Sequence, residues 1–215
     1  MQLTLAAVVF AGSTQAADDF SFEQIDRDSA ALVNEGPLNF LITPPARAVH
    51  HHQNHIRILP GSLTGGWVEL SQCHENLDAV PRMQITFREG YVRNLKVVSA
   101  TLIDRAWVEG ASVQLTNIRS GARLCLSALT RALRNTGNGY FNLTSGPYMR
   151  KFLDGYYPMR VSLSVDYPPT LLKLIDISPP SQTGLRIAEQ AGKFDIDAMF
   201  EGELTLLVQF DRPHP

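Results

Sequence analysis

The stretch RMQITF alternates Met83, Ile85 and Phe87 with Gln84, Thr86 and Arg88. That two-residue period belongs to a strand with one face turned to a core. The same rhythm recurs in MRVSLSVDY, where Val161, Leu163 and Val165 share a face, and in GELTLLVQF, where Leu204, Leu206, Val208 and Phe210 do. VRNLKVVSATLI, AWVEGASVQLTNI, LLKLIDI and FDIDAMF are further runs, separated by Gly, Pro and Asn turns. REGY predicts a hairpin turn between RMQITF and VRNLKVVSATLI, and Glu109-Gly110 stands between two further short runs. GARLCLSALTRAL is rich in good helix formers, but its strand-like neighbours favour a strand for its first half. Many short strands without a regular strand-then-helix alternation predict an all-β domain, mainly an antiparallel β-sandwich, with an immunoglobulin-like arrangement among its forms.

Two segments carry helical signals. SGPYMRKFLDG places Ser145 as an N-cap, Pro147 early and Gly155 just past the end, with Met149, Phe152 and Leu153 on one face. This predicts one short helix near 146–154. FEQIDRDSAALV, with Phe22, Ile25, Ala30 and Val33 at loosely helical spacing, predicts an N-terminal helix.

The N-terminus reads MQLTLAAVVFAGSTQAADD. A short apolar core followed by Thr14 and Ala16 fits cleavage before Ala17, the layout of a secretory signal peptide, although no Lys or Arg precedes Arg27. The expected organisation is a signal over 1–16, a lead segment over 17–46 and a single sandwich domain over 47–212, exported to the periplasm or beyond. No other stretch approaches membrane-spanning length. The two cysteines, Cys73 and Cys125, fit export as a disulfide, each on the less apolar side of a predicted strand. A formal net charge of −2 gives no broad basic footprint for nucleic acid.

Four of the six histidines lie in AVHHHQNHIRIL, namely His50, His51, His52 and His55. The alternation of Ile56 and Ile58 makes this the approach to a strand, so His50 and His52 share a face with Asn54. The turn signal PGSLTGG would bring WVELSQCHENLD back alongside. That makes His74 a third candidate ligand and Glu75 or Asp78 a fourth, for zinc or copper. No HExxH or CxxC supports a metal site, and no GxSxG or SxxK supports a serine hydrolase. Cys73 and His74 are adjacent on a strand and point to opposite faces, which disfavours a thiol–imidazole pair.

GNGYFNLTSGPYMRKFLDGYYP gathers Tyr140, Phe141, Tyr148, Phe152, Tyr156 and Tyr157 around Arg150 and Lys151. Rigid amphipathic rings beside a guanidinium suit contact with a protein, peptide or glycan partner. From sequence, three functions follow in order. The first is an exported non-catalytic binding or assembly module, using Tyr140, Phe141, Tyr148, Arg150, Tyr156 and Tyr157. The second is a metal-binding protein using His50, His52, His74 and Glu75. The third is an extracytoplasmic hydrolase.

Overall fold

The computed structural model describes residues 36–152 and 155–213. The expected signal segment and N-terminal helix lie outside them. In chain order the elements are β1 (Asn39–Phe40), β2 (His50–Arg57), α1 (Ser62–Gly65), β3 (Trp67–Leu77), β4 (Arg82–Thr86), β5 (Val92–Glu109), β6 (Ser112–Arg131) and β7 (Leu133–Gly137). There follow β8 (Tyr140–Tyr148), β9 (Lys151–Phe152), β10 (Gly155–Tyr156), β11 (Met159–Asp166), β12 (Lys173–Ser178), β13 (Leu185–Gln190), β14 (Lys193–Glu201) and β15 (Leu204–Asp211). The protein is thus nearly all β, with one four-residue helix among the described residues.

Two main sheets form a sandwich-like pair. The larger runs β1-β14-β11-β2-β3-β6-β4, with β13 on β14 and β5 on β6. The smaller runs β12-β15-β8-β7, and β9 with β10 makes a separate two-stranded ribbon. Pairing is antiparallel except between β2 and β11. This division of strands departs from the four-plus-three arrangement of an immunoglobulin constant domain.

The alternation read from sequence places the core. Met159, Val161, Leu163 and Val165 of β11 and Phe194, Ile196, Ala198 and Phe200 of β14 are buried. They meet Leu204, Leu206, Val208 and Phe210 of β15 and Phe141 and Leu143 of β8 in one apolar cluster. Each fully buried Val, Leu, Ile or Phe contributes about 1.5–3 kcal/mol. A second cluster, around Val113, Leu115, Ile118 and Leu124, lies along β6.

The long strands β5 and β6 form a hairpin at Glu109-Gly110, with Glu109 opposite Ser112. GARLCLSALTR is strand throughout. The hairpin expected at REGY does not form: β4 and β5 each pair with β6 instead, so β6 satisfies both.

The helix expected near 146–154 is also corrected. Ser145 to Tyr148 continue β8, and Lys151 and Phe152 pair with Tyr156 and Gly155. Phe141, Leu143 and Ser145 are buried at alternate positions, and β15 pairs with this strand through Leu206 opposite Ser145 and Leu204 opposite Tyr148. That ladder satisfies the backbone groups a helix would have served, so tertiary pairing overrides the local cap signals. Gly146 has φ +112°, and a Cβ there would stand 2.8 Å from the Leu204 carbonyl oxygen. Only glycine fits this close approach.

Candidate functional site

β2 and β3 run antiparallel with His52 opposite His74, Asn54 opposite Gln72 and Ile56 opposite Leu70. On both strands the core-facing register begins apolar at Ile56, Val68 and Leu70. It then turns polar: Asn54, His52 and His50 on one strand, Gln72 and His74 on the other. Gln72 and His74 are only 6% and 4% exposed. A polar island thus occupies positions that a sandwich normally fills with aliphatic side chains, and departures of this kind concentrate at functional sites.

The island is closely connected. His50 Nε2 lies 3.0 Å from His74 Nδ1, and the His52 and His74 ring centroids are 4.3 Å apart. The Gln72 amide nitrogen lies 2.6 Å from His52 Nε2 and 3.1 Å from His74 Nε2. With the amide donating, both rings accept through Nε2 and carry their proton on Nδ1, so that His74 Nδ1–H donates to His50 Nε2. His52 Nε2 also stands 3.1 Å from Asn54 Oδ1. One ring nitrogen therefore faces a donor and an acceptor, and neither tautomer satisfies both. Asn54 Nδ2 donates to the Tyr148 hydroxyl at 2.7 Å, and that hydroxyl also bonds Ser145 Oγ.

Burial holds all three imidazoles neutral. The His50 pKa is lowered to about 4, chiefly by desolvation, against the pull of Asp78. His52 is lowered to about 3 by desolvation and then by His50, and His74 is held well below the ordinary range for the same reasons. Burial raises the pKa of Tyr148. The floor is thus an uncharged array of donors and acceptors at neutral pH.

One polar atom there is left over: Gln72 Oε1 is buried without a hydrogen-bond partner among the described residues. Leaving such an acceptor unsatisfied costs about 1–3 kcal/mol.

Above the floor lies a cleft of about 1040 Å³, lined by His52, Asn54, Gln72, Ser145 and Tyr148 together with Ile56, Leu63, Leu70 and Phe87. It lies where the chain passes from β6 in the large sheet to β7 in the small one through Ala132. Gly66 lines one side and ends α1 in the left-handed conformation, its N–H donating to the Ser62 carbonyl. A Cβ on Gly66 would stand 2.5 Å from the Leu133 carbonyl oxygen, so glycine is required for this wall to meet β7. Arg88, Arg131, Arg134 and Tyr91 line the cleft as well.

On the opposite face of the large sheet, Cys73 and Cys125 are directly opposed and bonded. The bridge ties β3 to β6 between Gln72 and His74, the two residues that β3 supplies to the polar floor. It closes a loop of sequence separation 52. In the chain-entropy picture this stabilises by about 4 kcal/mol.

A scan against protein-family models finds no match for this sequence, and a search of curated proteins finds none either. Among solved structures the chain is similar to a candidate nutrient-binding protein from Legionella pneumophila, at 9% identity and a TM-score of 0.38, over 79% of this chain and 68% of that one. At that level of overlap the likeness lends nothing to the reading of the site, which rests on its own residues.

The structure brings together the three histidines that the sequence singled out, but not Glu75. Glu75 points from the other face of β3, 3.2 Å from Arg123 and 3.9 Å from His51. Asp78 is held by Arg150 through contacts of 2.6 and 3.1 Å. Among the described residues no group of three or more His, Cys, Asp or Glu side chains has the geometry to hold a metal ion.

The aromatic set divides. Phe141 is core, and Tyr148 is buried with its hydroxyl in the polar floor, so neither can form an exposed contact surface. Tyr140 and Tyr157 are exposed, whereas Tyr156 is half-buried beneath Lys151. Arg150, committed to Asp78, also faces the rings of Phe152 and Tyr157.

Ser162 is 2.8 Å from His51 Nε2, but its hydroxyl is 2.9 Å from Asp197 Oδ2, which can only accept. The serine proton therefore goes to Asp197, and His51 is not placed as its base.

Sequence reasoning missed Gln72 as a site residue, although its place in register with Val68 and Leu70 was the available signal. It also missed Arg88, Arg131 and Arg134, which carry no local signature and share the cleft only in the fold.

Proposed function

We propose that this chain is an exported, non-catalytic binding module, periplasmic or secreted, that takes a small polar ligand in the cleft above His52, Gln72, Asn54 and Tyr148. The observation that carries the reading is the buried, unpartnered Gln72 Oε1 in a cleft-lining side chain, surrounded by neutral donors and acceptors. Turning the Gln72 amide toward the cleft exposes this acceptor, and a ligand hydroxyl then supplies the missing donor. The volume suits a molecule the size of one to a few sugar rings, since small-molecule sites span roughly 300–1,000 Å³. The disulfide fits an oxidising compartment. The aromatic segment supports this reading through Tyr148 rather than through an exposed patch.

The test is a thermal-shift panel of sugars and small organic acids on the wild type and on Thr64→Trp, which places a bulky ring at the cleft wall. Ligands that stabilise the wild type and lose their effect in the variant support the proposal. Equal shifts in both, or no shift with any compound, overturn it.

A second reading, zinc or copper held by His50 and His74 with His52, is favoured by the 3.0 Å approach of His50 to His74. It is also favoured by the neutrality of the three rings, because only a deprotonated imidazole nitrogen ligates metal. It requires His52 to turn away from Gln72 and the His74–His50 hydrogen bond to give up its proton, because the three rings as placed do not form a metal-holding group. Stoichiometric metal in untagged protein, lost in His74→Gln, supports this reading. Its absence, together with no thermal shift on adding either metal, removes it.

A further inference from the structure

The residues around the cleft carry three positive charges, Arg88, Arg131 and Arg134, and include no aspartate or glutamate. This is notable in a chain whose acidic residues outnumber its basic ones, 21 to 19. None of the three arginines has an ion-pair partner among the described residues, whereas Arg57, Arg119, Arg123, Arg150 and Arg160 each face a carboxylate within 4 Å. They come from three elements: the turn after β4, the end of β6 and the start of β7.

One guanidinium is held in place, and a second arginine is tied down through its backbone. The Arg88 guanidinium sits 4.1 Å from the centre of the Tyr91 ring, and the Arg131 backbone N–H donates to the Tyr91 carbonyl at 2.9 Å. Tyr91 thus organises one side of the opening. Arg134 is on β7, whose partner strand β8 supplies Ser145 and Tyr148.

We infer that the ligand is an acidic sugar, a hydroxylated ring carrying one carboxylate or sulfate ester, with its anionic group against Arg131 and Arg134 and its hydroxyls on the His52–Gln72–Asn54 floor. This rests on the cleft being the binding site. The chemistry divides along the cleft. Guanidinium groups present planar forks of N–H donors that match both kinds of oxyanion. The neutral floor offers donors and acceptors to hydroxyls without competing for the charge. Ile56, Leu63, Leu70 and Phe87 give an apolar wall for the C–H face of a ring. An unpaired guanidinium at a water-filled cleft is already hydrated, so its selectivity comes from the charge and geometry of what replaces that water.

The experiment is isothermal titration of the full chain with sodium glucuronate, glucose 6-sulfate and glucose. The inference predicts binding of at least one acid at least about tenfold tighter than glucose, the size of effect a charge-assisted pair supplies. Arg131→Gln and Arg134→Gln each weaken the acid by about tenfold and leave glucose unchanged, while the Lys variants restore part of the affinity. Raising salt from about 50 to about 500 mM weakens the acid several-fold. Preference for glucuronate over the sulfate ester, or the reverse, identifies the anionic group.

Equal binding of acid and glucose, unaffected by the arginine variants but abolished by Thr64→Trp, overturns the acidic-sugar inference and leaves the cleft reading standing. Acid binding that survives Thr64→Trp and both arginine variants places the site elsewhere and overturns both. No binding of any of the three overturns the inference, and the wider panel then decides the cleft reading separately.

Discussion

The amide nitrogen of Gln72 lies 2.6 Å from His52 Nε2, on neighbouring strands of the large sheet and on its core-facing side. This contact links the two halves of the polar floor, yet it leaves the amide oxygen of Gln72 buried and without a partner among the described residues. Replacing Gln72 with Leu removes its contacts to His52 and His74 together with the orphan acceptor. His52 is then free to donate Nε2–H to Asn54 Oδ1, so His74 Nε2 is the one acceptor left without its donor. The loss and the relief are each about 1–3 kcal/mol, so they largely cancel. The expected outcome is a denaturation midpoint within a few degrees of wild type, or above it, together with lost ligand response. A large drop in stability would show that Gln72 serves the fold rather than a ligand.

Acid should destabilise this fold early. His50 and His52 titrate at about 4 and about 3 in the folded protein, and His74 is likewise depressed, all from an ordinary 6.5. Above pH 6.5 both states are neutral and these groups contribute no pH dependence. As pH falls below 6.5 the unfolded chain takes up protons that the folded chain refuses, so stability falls until the folded values are reached. Each group contributes about 1.4 kcal/mol per pH unit within that window. Urea denaturation between pH 7 and pH 4 should show this slope, and His74→Gln should reduce it by about one group's share. A flat profile over that range would contradict the burial of the three rings.

Reduction of the Cys73–Cys125 bond should lower stability by about 2–5 kcal/mol. Because the bridge fixes β3 against β6 beside Gln72 and His74, the paired Cys73→Ser, Cys125→Ser variant should also weaken ligand binding at a temperature where it remains folded. Retained affinity in a folded variant would show that the floor is positioned by the strand ladder alone.

Much of the fold was legible because strand burial follows a two-residue period. The register of MRVSLSVDY, FDIDAMF and GELTLLVQF reads directly onto the buried faces of β11, β14 and β15. The pairing of cysteines across two strands, and the convergence of His50, His52 and His74, follow from the same alternation once the turn at PGSLTGG folds β3 back on β2. Long-range pairing was not legible. SGPYMRKFLDG carries sound local helix signals, but β15 recruits its first residues, and no window of a dozen residues contains that information. The aromatic segment misled for a related reason. Tyr148 and Phe141 are amphipathic or apolar residues whose destination, surface or core, depends on the sheet that covers them. Of the cleft arginines, Arg131 and Arg134 are neighbours across the β6–β7 junction, but Arg88 comes from a distant turn and only the fold brings it to the same cleft.

The central claim is that the cleft over His52 and Gln72 is where this protein meets its ligand. Ring-nitrogen NMR of the histidines, recorded with and without the strongest compound from the sugar and acid panel, tests it most directly. The account predicts that the His52 and His74 signals shift on saturation while His55, paired with Asp166 on the far face, does not. Unchanged His52 and His74 signals at saturating ligand, with perturbation confined to residues around Tyr140 or Tyr157, would contradict it.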